Sequence, residues 1–225
     1  DTLYENNTKA TFFCLGKMAT DFPEVIKLIA NKGHEIGCHS DEHLWLTKMN
    51  PAQVRKDTHD AINTLEDVCG KKVRSYRAPA FSIGENNKWV IEILASEGIE
   101  RDASIFPAQR DFGGFASFPT DTPIQVSYNG FVLKEFPICL TRLFGREMAF
   151  SGGGYFRFFP LKFIQNKIVE SQYIMTYFHI GDLIYNKGKI LSRHAYETYF
   201  KEPGTFRNRF TRYIKSNLGT KGAFD

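Results

Sequence analysis

No apolar run in this 225-residue chain is long enough to span a bilayer. No signal-peptide pattern is visible, and internal repeats, low-complexity tracts and a clean linker are all missing. Cysteine is scarce: the four residues, at 14, 38, 69 and 139, follow no disulfide-framework spacing. Buried free thiols are therefore expected, which suits a reducing compartment and favours the cytoplasm. Charge of one sign is also in short supply. The 29 Lys and Arg exceed the 25 Asp and Glu by four, too small an excess to argue for a nucleic-acid partner. What is present is ordinary globular composition, 42% hydrophobic and 24% charged, which argues against an extended disordered region. The length suits one barrel-sized α/β domain.

The first two-fifths of the chain alternates short apolar runs with helical patterns. Residues 10–14 read as a buried strand. Asp21 can cap a helix with Pro23 in its first turn, Val25, Ile26, Ile29 and Ala30 on its apolar face and Gly33 at its end. Residues 35–39 form a short extended run. Asn50-Pro51-x-Gln53 reads as a capping box opening a helix that Gly70 stops. Residues 73–76 make the next strand, Asn86 and Asn87 start a helix ended by Gly98, and residues 99–102 are strand-like again. This fourfold alternation predicts a mainly parallel sheet with crossover helices. From 103 to 159 the pattern breaks into a Phe-, Pro- and Gly-rich insertion with a hairpin or edge pair around 131–138. Pro160 opens a helix and 173–178 reads as a strand. The stretch 183–225 is a polar, basic extension, including Lys201, best read as a solvated helix face. Residues 1–7, from Asp1, read as the end of a helix, so an earlier strand is expected before the first visible one.

Polar residues gather at the ends of predicted strands, where parallel α/β folds place their active face. They are His39 with His43, Arg77, Asp102 and His179. Histidines at i and i+4 lie on one face of a helical turn, close enough to share a metal, or else are two exposed loop histidines. A metal site usually takes three protein ligands; Asp41 and Cys38 are the local candidates for the third, Cys38 pointing away from His39. Arg77 before Pro79 gives a fixed cation in a rigid turn, able to hold a carboxylate or present backbone N–H groups to an oxyanion, or simply to pair at the surface. A histidine oriented by a carboxylate is an acid–base arrangement, which would suit His179 and Asp102; a satisfied core histidine is the plain alternative. His59 and His194 read as structural. Gly152-Gly153-Gly154-Tyr155-Phe156-Arg157 lacks the ending of a phosphate loop and reads as a flexible aromatic loop beside a sugar-binding groove.

Taken in order, these pieces resemble the polysaccharide deacetylases of carbohydrate esterase family 4, the nodulation-protein-like deacetylases. Lys9-Ala10-Thr11-Phe12-Phe13 is similar to the family's second strand, and His39-Ser40-Asp41-Glu42-His43 to its metal motif. Arg77-Ala78-Pro79 resembles its Arg-x-Pro motif, Asp102-Ala103-Ser104 its fourth motif, and His179 stands in the place of its last-motif histidine. The runs at 104–107 and 152–157 look like the subgroup associated with bacterial exopolysaccharide production. The resemblance implies an α/β fold, a distorted (β/α) barrel lacking its first strand in this chain, as a single domain over 1–225. It also implies metal-dependent removal of acetyl groups from an N-acetylated amino sugar or polysaccharide. His39 and His43 would hold Zn2+ or another divalent metal, the Ala80 N–H would serve an oxyanion, Arg77 would hold the base carboxylate, and His179 would protonate the leaving amine with Asp102 tuning it. The family's first motif, an Asp pair supplying the base and the third metal ligand, has no match here. Asp1 does not supply it, so the chain as it stands is expected to be poorly active. Other readings are a catalytically incomplete carbohydrate-binding relative, or an amidase on a small cyclic amide.

Overall fold

The computed structural model describes residues 2–110, 113–143, 145–183, 188–200 and 203–217. Asp1 and Lys201 lie outside the described residues. The chain clusters into two compact units, Asp1–Ile138 and Cys139–Asp225.

In the first unit a short helix α1 (Thr2–Glu5) precedes strand β1 (Thr11–Cys14), helices α2 (Gly16–Asp21) and α3 (Pro23–Asn31) and strand β2 (Glu35–Cys38). Helix α4 (Pro51–Cys69), strand β3 (Ser75–Tyr76), helix α5 (Val90–Ser96) and strand β4 (Arg101–Asp102) follow, then the hairpin β5 (Ile124–Tyr128) and β6 (Phe131–Glu135). The sheet order is β1-β2-β3-β4-β6-β5, parallel throughout except for the β5–β6 hairpin. This is the mainly parallel α/β sheet that the alternation predicts. Among the described residues it is open, with β1 and β5 at its edges.

The local causes are readable. Asn50 Oδ1 accepts from the Gln53 N–H and Gln53 Oε1 from the Asn50 N–H, both at 2.9 Å, so the capping box fixes the start of α4. Gly70, at φ 67°, ends it in the left-handed conformation. Asn129 and Gly130 both have positive φ, as a two-residue hairpin turn requires. Two expected helix starts move. Asp21 closes α2 and Phe22 precedes α3 without a side-chain cap, Pro23 alone opening the helix. Asn87 spends its amide on Gly84 N–H and Ser82 O, which holds 85–87 in a 3-10 turn, and α5 begins at Val90. Val54, Ala61 and Leu65 of α4 and Val90, Ile93 and Leu94 of α5 bury one side of the sheet with Ile36, Tyr76 and Leu133. Each buried Val, Leu or Ile among them contributes about 1.5–3 kcal/mol. All four cysteines are free.

The second unit holds an antiparallel pair, β7 (Leu140–Leu143) and β8 (Arg146–Ala149), and helices α6 (Gly153–Phe158), α7 (Leu161–Glu170), α8 (Arg193–Phe200) and α9 (Phe206–Asn217). Cys139, Phe150, Phe159 and Ile164 form its core. The expected strand over 173–178 is not one. Its backbone makes a single parallel bridge, Tyr177 with Gly152, while the Met175 carbonyl takes the Ser151 hydroxyl at 2.6 Å in place of a ladder bond. The run 152–157 is not a flexible loop but the start of α6. Gly152 leaves room for the Tyr177 ring and Gly153 for the Asp182 carboxylate, each closer than a Cβ would allow.

Candidate active site

His39 follows β2, and its N–H continues the parallel ladder onto the Cys14 carbonyl at 2.9 Å. Its Nδ1 lies 2.5 Å from the Arg77 carbonyl. A carbonyl only accepts, so Nδ1 carries the proton and Nε2 carries the lone pair when the ring is neutral. The His39 and His43 rings stand 5.0 Å apart, nearly perpendicular. The segment between them is not the helical turn that the i, i+4 spacing suggests. Ser40 and His43 both have positive φ, and the Ser40 hydroxyl accepts the His43 N–H at 2.9 Å. That local closure brings the rings together by another route. The turn is anchored from α2, whose Gly16 N–H bonds the Ser40 carbonyl at 3.1 Å; a Cβ on Gly16 would strike Asp41 and α4.

Arg77 directly follows β3. Its guanidinium lies 4.6 Å over the Phe13 ring and its Nε donates to the Ala103 carbonyl at 3.0 Å. Phe13 in turn occupies the space that a side chain on Gly37 would need. The turn after Arg77 is unusual: Ala80 and Phe81 both have positive φ, 56° and 53°. Non-glycine residues in that region store about 1–3 kcal/mol each. Gly113 supports the turn from outside, packed so closely on the Ala80 and Phe81 carbonyls that no side chain fits there.

Asp102 ends β4 and is buried, as is Glu135 opposite it on β6. The Ser104 hydroxyl donates to Asp102 and accepts the Ala78 N–H at 2.7 Å. Glu135 is a site residue that the motif reading passes over. Its signal is in the strand alternation: in 131–135 the inward positions are Leu133 and Glu135, and a carboxyl at an inward position is a conspicuous misfit.

Beside the His39–His43 turn an open recess of about 310 Å³ is lined by Asp41, Glu42, Leu44, Lys56, Asp57 and Asp60, among others. Burial, helped by the charges of Asp41 and Glu42, pushes Asp57 up to about 6, although backbone N–H groups at 41 and 42 bond to it. The folded chain thus holds this proton to higher pH than the unfolded chain. Its stabilising contribution is full below the ordinary aspartate range and is lost as pH rises through about 6. Denaturant unfolding between pH 4 and 7 should show this loss, and Asp57→Asn should flatten it; an unchanged slope in the variant would exclude Asp57 as its source.

His179 belongs to the second unit and is largely exposed; its Nδ1 lies 3.4 Å from Asp182 and its N–H donates to the same carboxylate at 2.9 Å. Burial would raise Asp182, but the bonds from His179 and the Arg157 charge hold it below the usual carboxylate range. Asp182, three residues after His179, is a second carboxylate that the motif reading omits.

The donor set can be weighed against a metal. His39 and His43 are neutral-imidazole ligands of the right kind, and the Arg77 carbonyl fixes the tautomer of one, as an outer-shell partner does. Cys38 is fully buried and burial raises its thiol far from the thiolate form. Among the described residues no group of three His, Cys, Asp or Glu is placed to hold a metal ion. The described residues therefore offer two fitting donors of the three that a catalytic zinc takes.

Residues 1–101 match the family model "Polysaccharide deacetylase", and residues 103–217 match "Domain of unknown function (DUF3473)". The chain is 40% identical over 93 residues to a peptidoglycan-N-acetylglucosamine deacetylase of Bacillus cereus, covering 41% of this chain and 34% of that protein. It is 30% identical over 97 residues to a chitooligosaccharide deacetylase of Bradyrhizobium, covering 43% and 42%. The chain thus spans less than half the length of these relatives. A solved structure from Mycobacterium smegmatis, described as a candidate polysaccharide deacetylase, superposes with a TM-score of 0.58 at 24% identity, over 78% of this chain and 60% of that one. That likeness is one of fold.

Proposed function

The chain belongs to the polysaccharide deacetylase family, and from that premise we propose that it is a metal-dependent hydrolase removing acetyl groups from an N-acetylated amino sugar or polysaccharide. The observation that carries this reading is the His39–His43 pair, with Nδ1 of His39 fixed on the backbone of the Arg77 turn. In this reading His39 and His43 hold Zn2+ or another divalent ion. Such an ion polarises the acetyl carbonyl and lowers the pKa of bound water.

The remaining roles fall to this chain's own groups. Ala80, held in a left-handed turn, presents its N–H to the oxyanion that forms as the acetyl carbon is attacked. Arg77, stacked on Phe13 and tied to Ala103, orients a carboxylate base. Asp102 tunes the acid–base chemistry of the site. His179 delivers a proton to the leaving amine, a role resting on its place in the sequence motif. The substrate class follows the relatives, which are named for peptidoglycan N-acetylglucosamine and chitooligosaccharide.

The test is acetate release from N-acetylated chitooligosaccharides and peptidoglycan by the full-length protein with added Zn2+. Acetate release that a chelator stops and Zn2+ restores is the expected result. No release from any N-acetyl sugar, with the same sugars still bound, would replace the enzyme with a carbohydrate-binding relative.

A further inference from the structure

Resting on the deacetylase reading, we propose that Glu135 is a positioning residue. It holds a proton that it shares with Asp102, and the pair acts through Ser104 to fix the turn carrying Arg77 and Ala80.

The argument starts from register. Asp102 on β4 pairs with Glu135 on β6, so the two side chains leave adjacent parallel strands toward the same face. Glu135 is 0% exposed and Asp102 3%. Glu135 Oε1 accepts the Ile105 N–H at 3.0 Å, its Oε2 meets no donor, and the residue directly across the strand pair from it is Asp102. Two ionised carboxylates cannot bond to each other, and two buried like charges would repel at close range. One proton between them removes both problems.

The neighbours decide which carboxyl carries it. Ser104 has one hydroxyl proton. Its oxygen already accepts the Ala78 N–H, and its proton goes to Asp102 Oδ1. The Ala103 N–H is spent on the Tyr76 carbonyl at 2.9 Å, which continues the β3–β4 ladder. Asp102 is therefore the acceptor toward Ser104, and Glu135, whose Oε2 has no other partner, is left as the donor to it. The other titratable groups near the pair leave room for one anion only. The Arg77 charge lowers both carboxyls and so favours an anion in the pair without choosing its place, Tyr76 is buried neutral beside Asp102, and the cross-strand neighbour of Glu135 on β5 is Ile124. Burial, and then the Asp102 charge, raise Glu135 well above the ordinary glutamate range.

The consequence lies one bond further on. The anion at Asp102 orients Ser104, Ser104 holds Ala78 N–H, and the adjacent Ala103 carbonyl holds Arg77 Nε at 3.0 Å. The end of β4 thus grips the turn at two successive residues, and that grip depends on the proton at Glu135. Once the proton is lost at alkaline pH, the pair carries two buried charges and the grip weakens.

Glu135→Gln tests this, because an amide keeps both the acceptor for Ile105 and a donor for Asp102. It should retain most of the acetate release at neutral pH and lose the alkaline fall in rate expected of the wild type. Glu135→Ala, which removes the donor, should lower kcat by roughly ten- to a hundredfold with little change in KM, the scale of a misplaced reacting group. Two readouts are independent of activity. The infrared carbonyl stretch of a protonated carboxylic acid should be present in the wild type at pH 8, where Asp57 is ionised, and absent in Glu135→Gln. Amide exchange at Ala78 should quicken in Glu135→Ala but not in Glu135→Gln. A wild type without the carboxylic-acid band, or a glutamine variant as impaired as the alanine one, overturns the proposal. A wild type that has the band and slow Ala78 exchange but releases no acetate overturns the deacetylase reading and leaves the shared proton standing.

Discussion

His39→Ala is expected to lower the protein's affinity for divalent zinc by more than a hundredfold and to abolish acetate release at ordinary metal concentrations. Loss of an outer-shell partner of a metal ligand alone costs about 10–100-fold in affinity. On the proposed reading the ligand itself goes here, and the tautomer-fixing bond from His39 Nδ1 to the Arg77 carbonyl goes with it. His43→Ala removes a ligand but leaves that bond, so the turn at Arg77 should stay ordered. Calorimetric titration of Zn2+ into the wild type and the two variants separates these effects. Equal affinity in all three would remove the two histidines from the metal site. Loss of affinity in both variants, with a lower melting temperature for His39→Ala than for His43→Ala, is the pattern that the geometry requires.

Much of the first unit is legible in the sequence, because its signals are local. The Asn50–Gln53 box and the glycine at 70 fix the two ends of α4 through bonds within a few residues, and in α3 Ile26 and Ala30 of the expected apolar face are buried while Val25 is exposed. The order of strand ends follows from the alternation, and it brings His39, Arg77 and Asp102 to successive C-terminal strand ends in the parallel sheet. What escaped depends on long-range partners. The backbone at 173–178 is apolar enough for a strand, yet Ser151 claims a carbonyl that a ladder would use. The glycines at 152 and 153 looked like flexibility, yet they are places where Tyr177 and Asp182 approach too closely for a side chain. The i, i+4 histidines meet through a left-handed turn at Ser40 that spacing does not encode. Glu135 stood in plain view as an inward glutamate, but its meaning appears only once β6 is set beside β4.

Gly113→Ala should be among the most damaging single-methyl changes in the first unit. Gly113 has φ 63°, where alanine is already disfavoured by about 1 kcal/mol or more. A Cβ there would stand 2.2 Å from the Ala80 carbonyl oxygen and 2.7 Å from that of Phe81. These are backbone atoms of two residues that are themselves in the left-handed region, so neither can move aside without unwinding the turn. The bond from Gly114 N–H to the Phe81 carbonyl, at 2.9 Å, holds the two segments together and prevents an easy retreat. A total cost of about 3–5 kcal/mol is expected, the range of changes that combine steric clash with backbone strain. Gly98→Ala is the matched control. Gly98 also has positive φ, 88°, but nothing lies within 4 Å of its added Cβ. It should lose only the backbone component. Thermal unfolding of the two variants therefore isolates the clash: Gly113→Ala should melt several degrees below Gly98→Ala, and acetate release should fall further in the former because the Ala80 N–H is displaced. If the two variants melt together, the Ala80 turn is not braced by Gly113, and its strained conformation is held by its own bonds, Phe81 N–H to the Ala78 carbonyl and Ser82 N–H to the Pro79 carbonyl, together with the Ser104 and Ala103 bonds to its first two residues.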